Sequence, residues 1–304
     1  MEKTNLIEDI RRLKSEKNAV ILAHNYQRPE IQDIADFVGD SLELARKAKD
    51  VGSAGIIAFC GVRFMAETAK ILNPQKRVFL TAPDAGCPLA DMVSPETVLK
   101  MKQDHPDAWV VSYVNTTAQV KALTDVCCTS SNAVAVVSNV PAKRVIFLPD
   151  KNLGYYVGKR VKDKELILAD GYCFVHRQFT VEDLHLARSA HPEAEVIVHP
   201  ECDPAVQDGA DYVLSTSRML IRAKESQRKE FIIGTEEGLL HRLKAENPGK
   251  RFFSLGSARV CFNMKKTTLV LLKECLEREV HEIILDAHIM EKARVALESM
   301  IRYI

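Results

Sequence analysis

Three cysteines, Cys87, Cys173 and Cys261, stand 86 and 88 residues apart in a chain of 304. A thiolate is a ligand for soft metals, and three at near-equal intervals suit one shared centre better than three separate reactions. Their flanks, Gly86-Cys87-Pro88 and Gly171-Tyr172-Cys173, read as loops, which reach a common point more easily than strand interiors do. A structural zinc site is closed by four protein ligands, whereas three cysteines leave one position open. A [4Fe–4S] cluster takes four thiolates, so three would leave one iron free to polarise a substrate oxygen. Zinc with water as its fourth ligand satisfies the same count. The other cysteines read as core: Cys60 ends an apolar run, Cys127 and Cys128 lie in another, and Cys275 falls on a helical stretch. Cys202 stays open, because it follows Glu201 in a candidate site loop.

The thiols close three copies of one pattern. Apolar runs end in Ala23-His24-Asn25-Tyr26, Tyr113-Val114-Asn115 and His199-Pro200-Glu201. From His24, Tyr113 and His199 an aspartate follows at 12 residues (Asp36, Asp125, Asp211) and a hydroxyl at 17 (Ser41, Ser130, Thr216). Such regularity marks an internal triplicate. It divides the chain into repeats at 1–88, 89–174 and 175–262, with 263–304 packing back onto the first. Short apolar runs such as Ala19-Val20-Ile21-Leu22, Val145-Ile146-Phe147 and Val196-Ile197-Val198 alternate with helical stretches. This is the pattern of parallel sheets covered on both faces. The predicted class is α/β: three homologous three-layer αβα domains with small parallel sheets around a pseudo-threefold axis. Ser41, Ser130 and Thr216 are expected to begin helices with their hydroxyls as caps, and Ile283-Ile284-Leu285 to form a further strand.

Ligands gather beyond the carboxyl ends of parallel strands. That rule brings His24, Tyr26, Tyr113, Asn115, His199 and Glu201 to the region of the three thiols, with His176 three residues beyond Cys173. Three helix N-termini at the same place predict an anionic substrate. His105 and His191 precede prolines, and His185 and His241 fall on helical stretches; these four read as structural. With 42 basic and 41 acidic residues the formal charge is +1, which gives no footprint for nucleic acid. No apolar run reaches membrane-spanning length and no signal-peptide core opens the chain, so the expectation is a cytoplasmic protein, with reduced cysteines and a small-molecule partner.

The loops taken together resemble the quinolinate synthase A family, iron–sulfur enzymes of NAD biosynthesis. The motifs are Ala23-His24-Asn25-Tyr26-Gln27, Gly39-Asp40-Ser41, Tyr113-Val114-Asn115, Cys128-Thr129-Ser130, Val198-His199-Pro200-Glu201-Cys202, Ser215-Thr216 and Gly234-Thr235-Glu236, together with the three cysteine loops. The resemblance spans nearly the whole chain. It implies condensation of iminoaspartate with dihydroxyacetone phosphate to quinolinate, with loss of phosphate and water, at one [4Fe–4S] cluster held by Cys87, Cys173 and Cys261. It further implies that Tyr26 and Glu201 handle protons, with His199 and Tyr113 beside them. His24, Tyr113, Asn115, His176 and His199 would orient substrate, and Ser41, Ser130 and Thr216 would receive its anionic groups. An aspartate oxidase or dehydrogenase would supply iminoaspartate as a transient partner. A three-domain, one-cysteine-each plan also belongs to the isoprenoid iron–sulfur reductase and the diphthamide-forming enzyme, but neither is expected to carry the His-Asn-Tyr and His-Pro-Glu-Cys loops together.

Overall fold

The computed structural model describes residues 2–50, 52 and 54–303. Within them twelve strands form three four-stranded sheets, every pairing parallel. The first sheet has β1 (Ala19–His24), β2 (Phe37–Gly39), β3 (Ile56–Cys60) and β4 (Arg77–Leu80) in the order β2-β1-β3-β4. The second repeats that order with β5 (Trp109–Tyr113), β6 (Val126–Cys128), β7 (Arg144–Leu148) and β8 (Glu165–Leu168). The third repeats it again with β9 (Glu195–Val198), β10 (Tyr212–Val213), β11 (Glu230–Gly234) and β12 (Arg251–Ser254). Central strands are buried along their length, as in Ile56-Ile57-Ala58-Phe59-Cys60, because helices cover both faces. The expected class of three αβα units is the observed one.

The repeated aspartates have a structural job. Asp36 accepts from Ile21 N at 2.8 Å, Asp125 from Val110 N at 2.7 Å and Asp211 from Val196 N at 2.8 Å. In each case the amide lies one residue before the short edge strand begins to pair, where it would otherwise lack a partner. A threefold set of lysines works at the same end. Lys76, Lys164 and Lys250 donate to carbonyls of the turns leading into β3, β7 and β11.

Two expectations about local structure are corrected. Ser41 and Thr216 are the first residues of the helices Ser41–Lys49 and Thr216–Glu225, but they do not cap them. Asp40 accepts from Glu43 N while Glu43 accepts from Asp40 N, a reciprocal capping pair, and Ser215 caps Thr216–Glu225 through Arg218 N. Ser130 begins no helix: it sits in a turn closed by Asn132 on Thr129 N, and the helix starts at Ala133. The run 283–285 is not a strand. One antiparallel bridge joins Glu282 to Phe79, with Ile283 N donating to Val78 O and Leu80 N to His281 O, so the segment covers the free edge of β4.

The helix Leu269–Arg278 packs on the helix Glu2–Glu16 through Leu269, Leu272 and Leu276 against Ile10 and Leu13. The helix Ala287–Ser299 lies instead against Arg63–Leu72, Ala118–Lys121 and β6. All eight cysteines are free thiols, and among the described residues no helix is long and apolar enough to cross a membrane.

Candidate active site and metal centre

The carboxyl ends of the three sheets open on one cavity. Every residue expected at the site lines it: His24, Tyr26, Ser41, Cys87, Tyr113, Asn115, Ser130, Cys173, His176, His199, Glu201, Thr216 and Cys261. Apolar walls come from Val62, Phe64, Met65, Leu89 and Met264.

Each repeat presents a different side chain two residues past its strand-end residue: Tyr26, Asn115 and Glu201. Behind each, a buried nitrogen eight residues past that strand end clamps the carbonyls on either side. Gln32 Nε2 donates to Asn25 O (3.1 Å) and Gln27 O (2.9 Å), and Gln207 Nε2 to Pro200 O (2.9 Å) and Cys202 O (2.8 Å). In the second repeat Lys121 Nζ donates to Val114 O (2.8 Å) and Thr116 O. Each glutamine also crosses to a neighbouring repeat, Gln32 to Gly238 O and Gln207 to Asn152 O.

The hydroxyl loops meet at a junction that the sequence reading missed. Asp40 accepts from Ser131 at 3.2 Å and from Ser217, and Ser131 bonds Ser215 at 2.7 Å, so one carboxylate ties the three repeats together. With Asp40 and Ser215 doing the capping, the hydroxyls of Ser41 and Thr216 line the cavity instead.

The three thiols are set alike. Burial pushes all three up, Cys87 to about 12, against backbone N–H groups of the turn that follows each: Ala90 and Leu89 for Cys87, His176 for Cys173, Met264 and Asn263 for Cys261. They are therefore protonated until a metal displaces the proton. One set of three donors closes within 4.8 Å among the described residues, and it is Cys173, His176 and Glu201 rather than the three cysteines. A single tetrahedral ion with metal–sulfur bonds of about 2.3 Å holds its sulfurs about 3.8 Å apart. The three cysteine sulfurs do not all lie within 4.8 Å of one another. Cys202, the open case, is buried with Sγ facing Gly234 O, and belongs to the core under the Glu201 loop.

A hydrogen-bonded chain runs along the cavity wall. Tyr26 Oη is 2.6 Å from Thr235 Oγ1, Thr235 Oγ1 is 2.8 Å from His176 Nε2, and His176 Nδ1 is 2.8 Å from Glu201 Oε2. With His176 carrying its proton on Nδ1, the order is Tyr26 O–H to Thr235, Thr235 O–H to His176 and His176 N–H to Glu201. Burial raises Tyr26 and Tyr113 well above the ordinary phenol range, so both are donors at neutral pH. Burial lowers His24 to about 4 and His199 to about 3, so both are neutral imidazoles. Burial alone would raise Glu201, but His199, His176 and the Tyr113 hydroxyl hold it below the usual carboxylate range. With His199 itself neutral, the hydrogen bonds from His176 and Tyr113 keep this carboxylate ionised.

Thr235 and Glu236, quoted above only within a motif, join the site through contacts that the repeat could not reveal, since their counterparts in the other copies differ. Glu236 pairs with Lys265 at 2.9 Å and accepts from Cys261 N at 3.1 Å, which fixes the third cysteine loop. None of the four histidines set aside lines the cavity: His105 meets Arg144, His191 stacks on Phe253, His241 pairs with Asp33, and His185 lies on the helix Val181–Ala190.

The arrangement defines a class: an α/β protein whose three like sheets enclose one thiol-lined, acid–base cavity. A family profile described as quinolinate synthetase A protein matches residues 8–302. The quinolinate synthase of Methanoregula boonei is 53% identical over 302 residues, covering 99% of both chains. Those of Alkaliphilus metalliredigens and a Sulfurihydrogenibium species are each 51% identical, over 301 and 306 residues, again with 99% of both chains covered. The chain belongs to the quinolinate synthase family.

Proposed function

We propose that this chain condenses iminoaspartate with dihydroxyacetone phosphate to give quinolinate, phosphate and water, as a step of NAD biosynthesis. The observation that carries the reading is the continuous path from Tyr26 through Thr235 and His176 to Glu201, set in the cavity that the three cysteines share. Imine formation, enolisation and dehydration each need a proton delivered or removed, and a hydrogen-bonded path between a donor and an ionised carboxylate lets one wall do both. Glu201 is the base and Tyr26 the acid at its two ends, with Tyr113 donating to the same carboxylate. Neutral His24 and His199, whose Nδ1 atoms accept from Tyr26 N and Glu201 N, each offer an Nε2–H donor without adding charge. Asn115 Oδ1 is buried without a partner, which suits it to accept from a substrate imine N–H. Ser41, Ser130 and Thr216 donate to phosphate or carboxylate oxygens at the opposite wall.

Cys87, Cys173 and Cys261 would hold a [4Fe–4S] cluster, which when bound supplies a Lewis-acid iron that no cysteine ligates. The donor set fits it: three half-buried thiols, each faced by backbone N–H groups, that do not all lie within 4.8 Å of one another. A single ion at Cys173, His176 and Glu201 is the competing reading, favoured by their mutual distance. It would use one thiol of three and interrupt the path to Tyr26.

Anaerobically reconstituted protein given dihydroxyacetone phosphate and freshly generated iminoaspartate is expected to form quinolinate. No product from protein with its full iron and sulfide would sink the reading. One zinc per chain without sulfide would favour the competing one.

A further inference from the structure

The clamp behind the site loop is a neutral amide in two repeats and an ammonium in the third. Gln32 and Gln207 show that holding two carbonyls needs no charge. Yet Lys121 is fully buried, and among the described residues no carboxylate comes within ion-pairing distance of its Nζ. A buried cation without a partner is costly, and an amide in its place would avoid that cost. The carboxylate in its field, Glu67, is already engaged by Arg63 at 3.3 Å and Ala118 N at 3.0 Å. Burial lowers the ammonium to about 8, which still leaves it a cation at neutral pH.

The cavity supplies the reason for a charge. Asp40, Glu201 and Glu236 line it, and among the described residues no lysine or arginine does. Lys265, a second cation behind the wall, is taken up by Glu236. Lys121 stands behind the lining residues Asn115 and Phe64, with Nζ 5.5 Å from the Phe64 ring and the Cys87 thiol within its field. We propose that Lys121 is a positioning residue that supplies the fixed positive charge of the site, aiming Asn115 through its two carbonyl bonds and offsetting the charge of an anionic substrate. The inference rests on the proposed reaction, whose substrates carry phosphate and carboxylate groups.

The test uses full-length, reconstituted protein under anaerobic conditions, with calorimetric titration of dihydroxyacetone phosphate alone. Lys121→Gln installs the residue of the sister repeats, keeping the clamp and removing the charge. It is expected to preserve iron content and hydrogen-exchange protection at Asn115–Thr117. Its affinity for dihydroxyacetone phosphate is expected to fall about tenfold, with KM raised more than kcat is lowered. Lys121→Met, which removes both clamp and charge, is expected to lose that protection as well. Wild-type affinity in either folded neutral variant would overturn the inference and leave the reaction standing. If neither variant folds, the charge serves folding rather than ligand, and the inference is again overturned. A wild-type protein that neither binds dihydroxyacetone phosphate nor makes quinolinate brings down both readings together.

Discussion

The two ends of the three sheets follow opposite rules. At the end where the edge strands begin, Asp36, Asp125 and Asp211 do one job three times, and Lys76, Lys164 and Lys250 do another. At the cavity end β1 and β5 finish in His24 and Tyr113 and β9 runs into His199, and the loops beyond present Tyr26, Asn115 and Glu201. A repeat is kept where the task is to satisfy a backbone that is itself repeated. It is broken where the task is chemistry on a substrate that has no threefold symmetry. The cysteines are the informative exception, threefold at the cavity end, as expected of ligands to one centre.

The comparison is most exposed at those cysteines. Changing Cys87, Cys173 or Cys261 singly to Ala is expected to empty the cluster and abolish turnover, by iron and sulfide assay of anaerobic preparations. Cys60, Cys127, Cys128 or Cys275 to Ala should cost on the order of 1 kcal/mol of stability with iron unchanged. A dispensable member of the repeat set would break the argument. Next in size is Glu201→Gln, which keeps the shape of the side chain and removes its charge; turnover should fall about 10²-fold or more while the cluster spectrum persists. Thr235→Val cuts the path between Tyr26 and His176 and is expected to lower turnover by at least about tenfold with iron content intact. Full activity in this variant would show that Tyr26 and Glu201 act separately.

At the structural end the expectation reverses. Asp125→Ala should lower stability to denaturant by about 1 to 2 kcal/mol, the cost of an orphaned buried amide, and leave kcat per folded molecule unchanged. The smallest effect concerns pH. His24 and His199 have folded pKa values below the unfolded 6.5, so the unfolded chain binds more protons as the pH drops. Their contribution to stability is complete above about pH 7 and is lost as pH falls from 6.5 toward 4. The melting temperature should therefore decline between pH 7 and 5, and the decline should be shallower in His199→Asn. Equal slopes would mean that His199 is not held neutral.

What the sequence made legible follows from the same division. The parallel class, the three thiols and the convergence of Tyr26, Asn115 and Glu201 were readable because spacing repeats and strand topology send every strand end to one place. The aspartates at 12 residues were visible as a pattern, but their purpose required the pairing register. Thr235, Glu236 and Asp40 have no like counterpart in the other repeats, so the repeat pattern could not flag their contacts. The helix starts at Ser41 and Thr216 were legible but their caps lie one residue earlier, at Asp40 and Ser215, and the turn at Thr129–Asn132 delays the second repeat's helix to Ala133. The run 283–285 is apolar and β-branched, but it meets only the outer edge of β4, where a single bridge suffices.

Because Gln32 draws its third carbonyl from the third repeat and Gln207 draws its own from the second, the first and third site loops are each held in part by another third of the chain. Opening one repeat strips a support from the next. Native-state hydrogen exchange at residues 25–27, 114–116 and 200–202 should then report one shared opening free energy. Three sheets and three cores would behave as a single cooperative folding unit, and a fragment of one repeat alone would not preserve its loop.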